Sequence, residues 1–157
     1  MQIRIRAYRA DKLVAYSSRW RLLVMRTMTA AATREILIVD DHPDAVRMLS
    51  ILLGAAGYVC HVATTGNQAL EQMRLHAPRI ALLDIGLPDI SGLELARRFR
   101  ASHGNDIFLI ALTGWGEPAD LQRAFDAGFD RHLLKPVDGA TIRAIIDAVE
   151  GQPASAS

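Results

Sequence analysis

From Arg34 to Glu150 the chain switches repeatedly between two periodicities. Five short runs, Glu35–Val39, Tyr58–Ala63, Ile80–Leu83, Asp106–Leu112 and Phe129–Leu134, carry the aliphatic and β-branched residues that suit a buried, pleated surface. They alternate with five stretches whose apolar residues recur every three to four positions. Val46, Leu49, Leu52 and Leu53 mark the first of these, and Leu93, Ala96 and Phe99 the third. Leu121, Ala124 and Phe125 mark the fourth, and Ile142, Ile145, Ile146 and Val149 the fifth. Strands apolar nearly throughout need cover on both faces, and strands joined through helices run parallel.

The punctuation between the runs agrees. Pro43 suits the first position of a helix that Gly54 and Gly57 close. Thr65 with Gln68, and Ser91 with Glu94, have capping-box spacing; the Thr65 helix is expected to run to about His76. Pro118 opens a helix that Gly128 ends, and Asp138 caps the last. The expected fold is therefore α/β: a flavodoxin-like doubly wound (βα)5 domain over residues 34–150, its five-stranded parallel sheet in the order 2-1-3-4-5.

Charge separates this domain from what precedes it. Before Thr33 there are seven basic residues against Asp11 alone, a net +6, so the remainder carries −5 within a whole-chain charge of +1. An acidic folded part argues against nucleic acid as a partner and for a cation or a basic protein surface. Residues 1–33 form a basic extension. A secretory leader fits it poorly, since no clean apolar core or cleavage site follows the basic start. A basic amphipathic anchor around Arg19–Arg26 is a second reading. The favoured one is disorder or a mis-assigned start, with translation beginning at Met28. Residues 151–157 read as a flexible tail. Cys60 is the single cysteine, which excludes an internal disulfide and fits a reducing cytosol. No apolar run approaches the ~20 residues of a membrane span, so no stable membrane insertion is expected.

In the expected strand order, strands one, three, four and five are neighbours, and their carboxyl ends share one edge. Strand one ends in Asp40 and Asp41, strand three in Asp84, strand four in Thr113 and strand five in Lys135. One Asp leaving a strand is usually a turn residue; four strand ends converging is a different matter. Three neighbouring carboxylates cannot all stay ionised unless a cation sits among them. Oxygen donors without Cys or His call for a hard ion, and Mg2+ with retained waters matches best. Lys135 and Thr113 add one positive charge and one hydroxyl beside Asp84. Together with Mg2+ they would clamp a phosphoryl group in transfer to a carboxylate.

The residues that carry this pattern are Leu37-Ile38-Val39-Asp40-Asp41-His42-Pro43-Asp44, Leu82-Leu83-Asp84-Ile85-Gly86-Leu87-Pro88-Asp89-Ile90-Ser91-Gly92, Ala111-Leu112-Thr113-Gly114 and Leu133-Leu134-Lys135-Pro136-Val137. They resemble the receiver domain of two-component response regulators, over about residues 34–150. The resemblance implies that Asp84 is the phosphoacceptor, fed by the phosphohistidine of a sensor histidine kinase or a histidine phosphotransfer protein. It implies that Asp41, Asp84 and the Gly86 carbonyl hold Mg2+ directly, and Asp40 through water. Thr113 and Lys135 would bind the phosphoryl oxygens, Lys135–Pro136 would be a cis peptide, and Thr113 with His132 would form the switch. Such a domain is not a conventional enzyme, although it assists its own phosphorylation and dephosphorylation. With no output module expected after the last helix, signalling is expected to reach a downstream protein target through contact, in the cytoplasm. The Thr113–Gly116 and His132–Val137 stretches look most like receivers attached to hybrid sensor kinases.

Two alternatives stand beside this reading. A Mg2+ phosphohydrolase with an aspartyl nucleophile typically has a second Asp two residues on, where this chain has Gly86. A binding module that is never phosphorylated would be expected to lack a signature residue. There are also departures from the family. His132 stands where Tyr or Phe is usual, Gly86 brings no side chain to the site, and Trp115 could cover it. His42 reads as an exposed loop histidine, and His61, His76 and His103 as scattered, with no shared site. Cys60 reads as packed, and Arg97, Arg98 and Arg100 as the solvated face of their helix.

Overall fold

The computed structural model describes residues 34–114 and 118–150. The basic extension, the tail and Trp115 lie outside the described residues. In order the elements are β1 (Glu35–Val39), α1 (Pro43–Ala55), β2 (Val59–Ala63), α2 (Gly66–His76), β3 (Ile80–Asp84), α3 (Gly92–His103), a 3-10 turn (Gly104–Asp106), β4 (Phe108–Thr113), α4 (Pro118–Asp126), β5 (Arg131–Leu134) and α5 (Gly139–Glu150). All strand pairs are parallel and the order is β2-β1-β3-β4-β5, as the sequence predicts.

Alternation of side chains along each strand divides the core into two layers. Leu37, Val39, Ala81, Leu83, Leu109 and Ala111 face α2, α3 and α4, meeting Ala69, Met73, Leu95, Phe99 and Ala124. Ile36, Ile38, Leu82, Ile110 and Leu112 face the other way, against Val46, Leu49 and Leu53 of α1 and Ile142 and Ile146 of α5. The central β3 is buried at every residue, which is why its sequence shows no polar alternation.

The helix ends follow their sequence signals, with two refinements. Gly57, at φ +91°, is the residue that terminates α1; its N–H donates to the Gly54 carbonyl, and the Tyr58 N–H to that of Leu53. Gly54 lies inside the helix. Thr65 and Ser91 each accept the backbone N–H three residues on. Neither box closes reciprocally: Gln68 Oε1 accepts from Thr64, and Glu94 pairs with Arg98. Asp138 accepts the Thr141 N–H at 2.8 Å.

Three strands begin later than their apolar runs. The Phe129 N–H closes α4 on the Ala124 carbonyl, so β5 starts at Arg131. Asp106 belongs to the 3-10 turn, so β4 starts at Phe108, and β2 starts at Val59. Phe125, read from spacing as core-facing, is 50% exposed, whereas Ala124 is buried. Leu52 is likewise exposed; its side chain passes close to Gly139 at the start of α5.

Candidate functional site

The five strand-end residues meet at the carboxyl edge of the sheet. Asp84 is the last residue of β3, the middle strand, and is buried. Asp40 follows β1, is only 1% exposed, and donates its N–H to the Ala63 carbonyl. Lys135, just past β5, reaches both acids: its Nζ lies 2.5 Å from Asp40 Oδ2 and 3.1 Å from Asp84 Oδ2. The Lys135 N–H donates to the Thr113 carbonyl at 2.7 Å, and Lys135–Pro136 is a cis peptide. Thr113 is buried at the end of β4, one step beyond the Leu112 that is in register with Asp84.

The loop after Asp84 is held close by a glycine. A Cβ on Gly92 would fall 2.2 Å from the Asp84 carbonyl oxygen, so only glycine lets α3 start against the strand end. The Gly92 N–H donates to the Ile85 carbonyl, and the Gly86 N–H to Asp84 Oδ1 at 3.1 Å. Farther along the loop, Asp89 accepts the N–H groups of Gly66 (2.7 Å) and Asn67 (2.9 Å) at the start of α2. The Asn67 bond, then that of Gly66, holds the Asp89 pKa down at about 2.

The electrostatics of the edge are unbalanced. One carboxylate oxygen each of Asp40, Asp41 and Asp84, with one His42 nitrogen, lie within 4.8 Å of one another. Against three carboxylates stand one ammonium and the exposed His42 imidazole. Burial works against the charge on Lys135, but hydrogen bonds with Asp40 and Asp84, and their charge, outweigh it and raise its pKa. Asp41 Oδ1 is buried without a well-aligned hydrogen bond, its near neighbour being the exposed His42 Nδ1 at 2.8 Å. Three carboxylates crowded this closely repel one another, and a hard cation is what such a donor set accommodates.

Two residues carry more than their sequence context suggested. His42 is exposed, as expected for its loop, yet its Nδ1 lies 3.2 Å from Asp40 Oδ1 and 2.8 Å from Asp41 Oδ1. The hydrogen bond to Asp40, then the charge of Asp41, raises its pKa. His132 on β5 is in register with Ala111, and its Nε2 is buried without a hydrogen-bond partner.

Other expectations divide. Cys60 is packed, and burial pushes its thiol pKa up. Arg97 and Arg98 do pair on the surface with Glu94. Arg100 does not belong with them: it turns inward to the carbonyls of Gly104, Ile107 and Gly128 and to Asp130. Nor are the histidines all scattered. His61 and His76 stack face to face, and Glu35 joins them. The strand register that pairs Leu37 with His61, and a helix ending at His76, make this contact; spacing alone carries no sign of it.

Comparison with known proteins places this geometry. The family model described as the response regulator receiver domain matches residues 36–147. An uncharacterized 14.6 kDa protein of Leptolyngbya boryana is 35% identical over 112 residues, covering 71% of this chain and 86% of its own. The DNA-binding response regulator MtrA of Mycolicibacterium smegmatis is 33% identical over 125 residues, 77% of this chain but only 54% of that protein. Among solved structures, a CheY-like response regulator receiver domain protein of Methanospirillum hungatei superposes with a TM-score of 0.68 at 28% identity, covering 76% of this chain and 98% of that one. No helix among the described residues is long and apolar enough to cross a membrane.

Proposed function

Because the chain belongs to the response regulator receiver domain family, we propose that it accepts a phosphoryl group on Asp84 from the phosphohistidine of a sensor kinase or phosphotransfer protein. The observation that carries this reading is the surplus of carboxylate at the sheet edge: three acids share it with one ammonium and one exposed imidazole. Asp40, Asp41 and Asp84 would hold Mg2+, with the Gly86 carbonyl adjacent in the loop. When bound, the ion supplies charge that lowers the repulsion between these acids and an incoming phosphoryl group.

The protein's own groups do the rest. A carboxylate oxygen of Asp84 attacks phosphorus as the P–N bond to the donor imidazole breaks, and that bond's electron pair stays on the imidazole nitrogen. Lys135, already 3.1 Å from Asp84 Oδ2, moves its ammonium from carboxylate to phosphoryl oxygen. The Thr113 hydroxyl donates to a second oxygen, and the Gly86 N–H keeps Asp84 oriented. Such a protein is a phosphoacceptor, not a turnover enzyme. Output follows from the change at Thr113 and at His132, and is read by a protein partner.

The test uses a small-molecule donor. Incubated with acetyl phosphate and Mg2+, the wild type gains one phosphoryl mass by intact mass spectrometry, and Asp84→Asn gains none. Chelating the metal stops the labelling. Equal labelling of both proteins would overturn the assignment.

A further inference from the structure

We propose that Glu35, His61 and His76 form a second metal site, for a borderline divalent cation of the Zn2+ class, distinct from the acidic edge. Glu35 is the first residue of β1, whereas Asp40 follows its last, so five steps of strand put about 16 Å between the two clusters. Glu35 and His61 project from the same face of adjacent strands, because His61 is in register with Leu37, two residues beyond Glu35. His76, the final residue of α2, lays its ring on that of His61 with centroids 3.7 Å apart and planes at 14°.

The distances suit an ion. His61 Nε2 lies 2.9 Å from Glu35 Oε2, a hydrogen bond across which one proton is shared. Two ligands at the 2.0–2.1 Å typical of zinc sit about 3.3 Å apart in a tetrahedron. Replacing that proton with a metal therefore widens the gap by only a few tenths of an ångström. One ligand atom from each of the three residues lies within 4.8 Å of the others. His76 is exposed, so its ring can turn about its Cβ–Cγ bond to aim a nitrogen at the ion without disturbing the core. His61 is only 13% exposed, which fixes the inner ligand. Three protein ligands leave the fourth position for water.

Ligand chemistry separates the two clusters. Two imidazoles and one carboxylate favour Zn2+, Co2+ or Ni2+, whereas the three carboxylates around Asp84, with one exposed imidazole, favour a hard ion. An ion at Glu35, His61 and His76 would clip together β1, β2 and α2. It would bind the folded chain in preference to the unfolded one, and so stabilise it.

The experiment titrates the full chain with Zn2+ in excess Mg2+, by calorimetry and by NMR of the imidazole resonances. The expected result is one Zn2+ per chain, with the His61 and His76 signals shifting together. His76→Ala, at an exposed helix end, folds as the wild type does and loses more than the roughly 10- to 100-fold in affinity that an outer-shell change costs. His61→Gln loses as much, while His42→Ala binds as the wild type does. Zn2+ affinity equal in wild type and His76→Ala, a loss confined to His42→Ala, or no Zn2+ binding at all would overturn the site.

Discussion

Arg100 and Lys135 are both long cations that reach across the fold to an aspartate, yet they leave their surroundings in opposite states. Arg100 makes five hydrogen bonds: two to the Gly128 carbonyl, one each to Gly104 and Ile107, and one to Asp130 Oδ2 at 2.8 Å. Asp130 Oδ2 also accepts the Leu109 N–H. One guanidinium meets one carboxylate, and every donor of the planar fork is used. Lys135 instead faces Asp40 and Asp84 together, with a third acid, Asp41, beside them that only the exposed His42 approaches. A network that closes on itself is architecture; one that carries surplus charge is completed by something that binds.

The sharpest way to break this contrast is to remove each cation. Arg100→Ala leaves three carbonyls and the Asp130 carboxylate without their partner. It should cost about 3 kcal/mol in urea unfolding, with or without Mg2+. Lys135→Ala leaves Asp40 facing Asp84. The loss in Mg2+-free buffer should be about 2 kcal/mol, below that of a fully buried pair because Lys135 is partly exposed. Added Mg2+ should restore much of it. If Mg2+ rescues both variants equally, or neither, the two networks do not differ as described.

How far these networks could be read beforehand depended on what kind of contact each residue makes. The strand-end acids were legible because an acid closing an apolar run needs only the run and the strand order to be placed. Asp84 at the end of the wholly buried β3 is the clearest instance. Arg100 was not legible, because its polar neighbours on α3 mark a solvated face, and two of its partners, Gly128 and Asp130, lie 28 to 30 residues away. Periodicity likewise could not tell that Ala124 and not Phe125 meets the sheet, since both fall within one helical stripe. The apolar run starts two residues before β5 because Phe129 is apolar and buried, yet spends its N–H on ending α4. His61 and His76 meet only after β2 and α2 have packed.

A smaller effect sharpens the comparison from the loop side. Asp89 has its pKa lowered to about 2 by the N–H groups of Asn67 and Gly66. A depressed folded pKa means its contribution is fully present above the ordinary value near 3.8 and is lost as pH falls through about 2. Asp89→Asn offers one acceptor oxygen in place of two. It should lower the unfolding midpoint slightly at pH 7 and flatten the fall in stability between about pH 4 and 2. An unchanged acid limb in this variant would show that the loop after Asp84 is not tied to α2 by this carboxylate.

The most direct measurement is a Mg2+ titration of thermal stability in three proteins: wild type, Arg100→Ala and Asp41→Asn. Removing the Asp41 charge relieves the repulsion and removes a ligand at once, so Asp41→Asn should start more stable than wild type in Mg2+-free buffer and gain little from the ion. Wild type and Arg100→Ala should both rise with Mg2+ by similar increments, although Arg100→Ala starts far lower. A Mg2+ gain in Asp41→Asn as large as in wild type would contradict the claim that the surplus carboxylate at the sheet edge is a cation site.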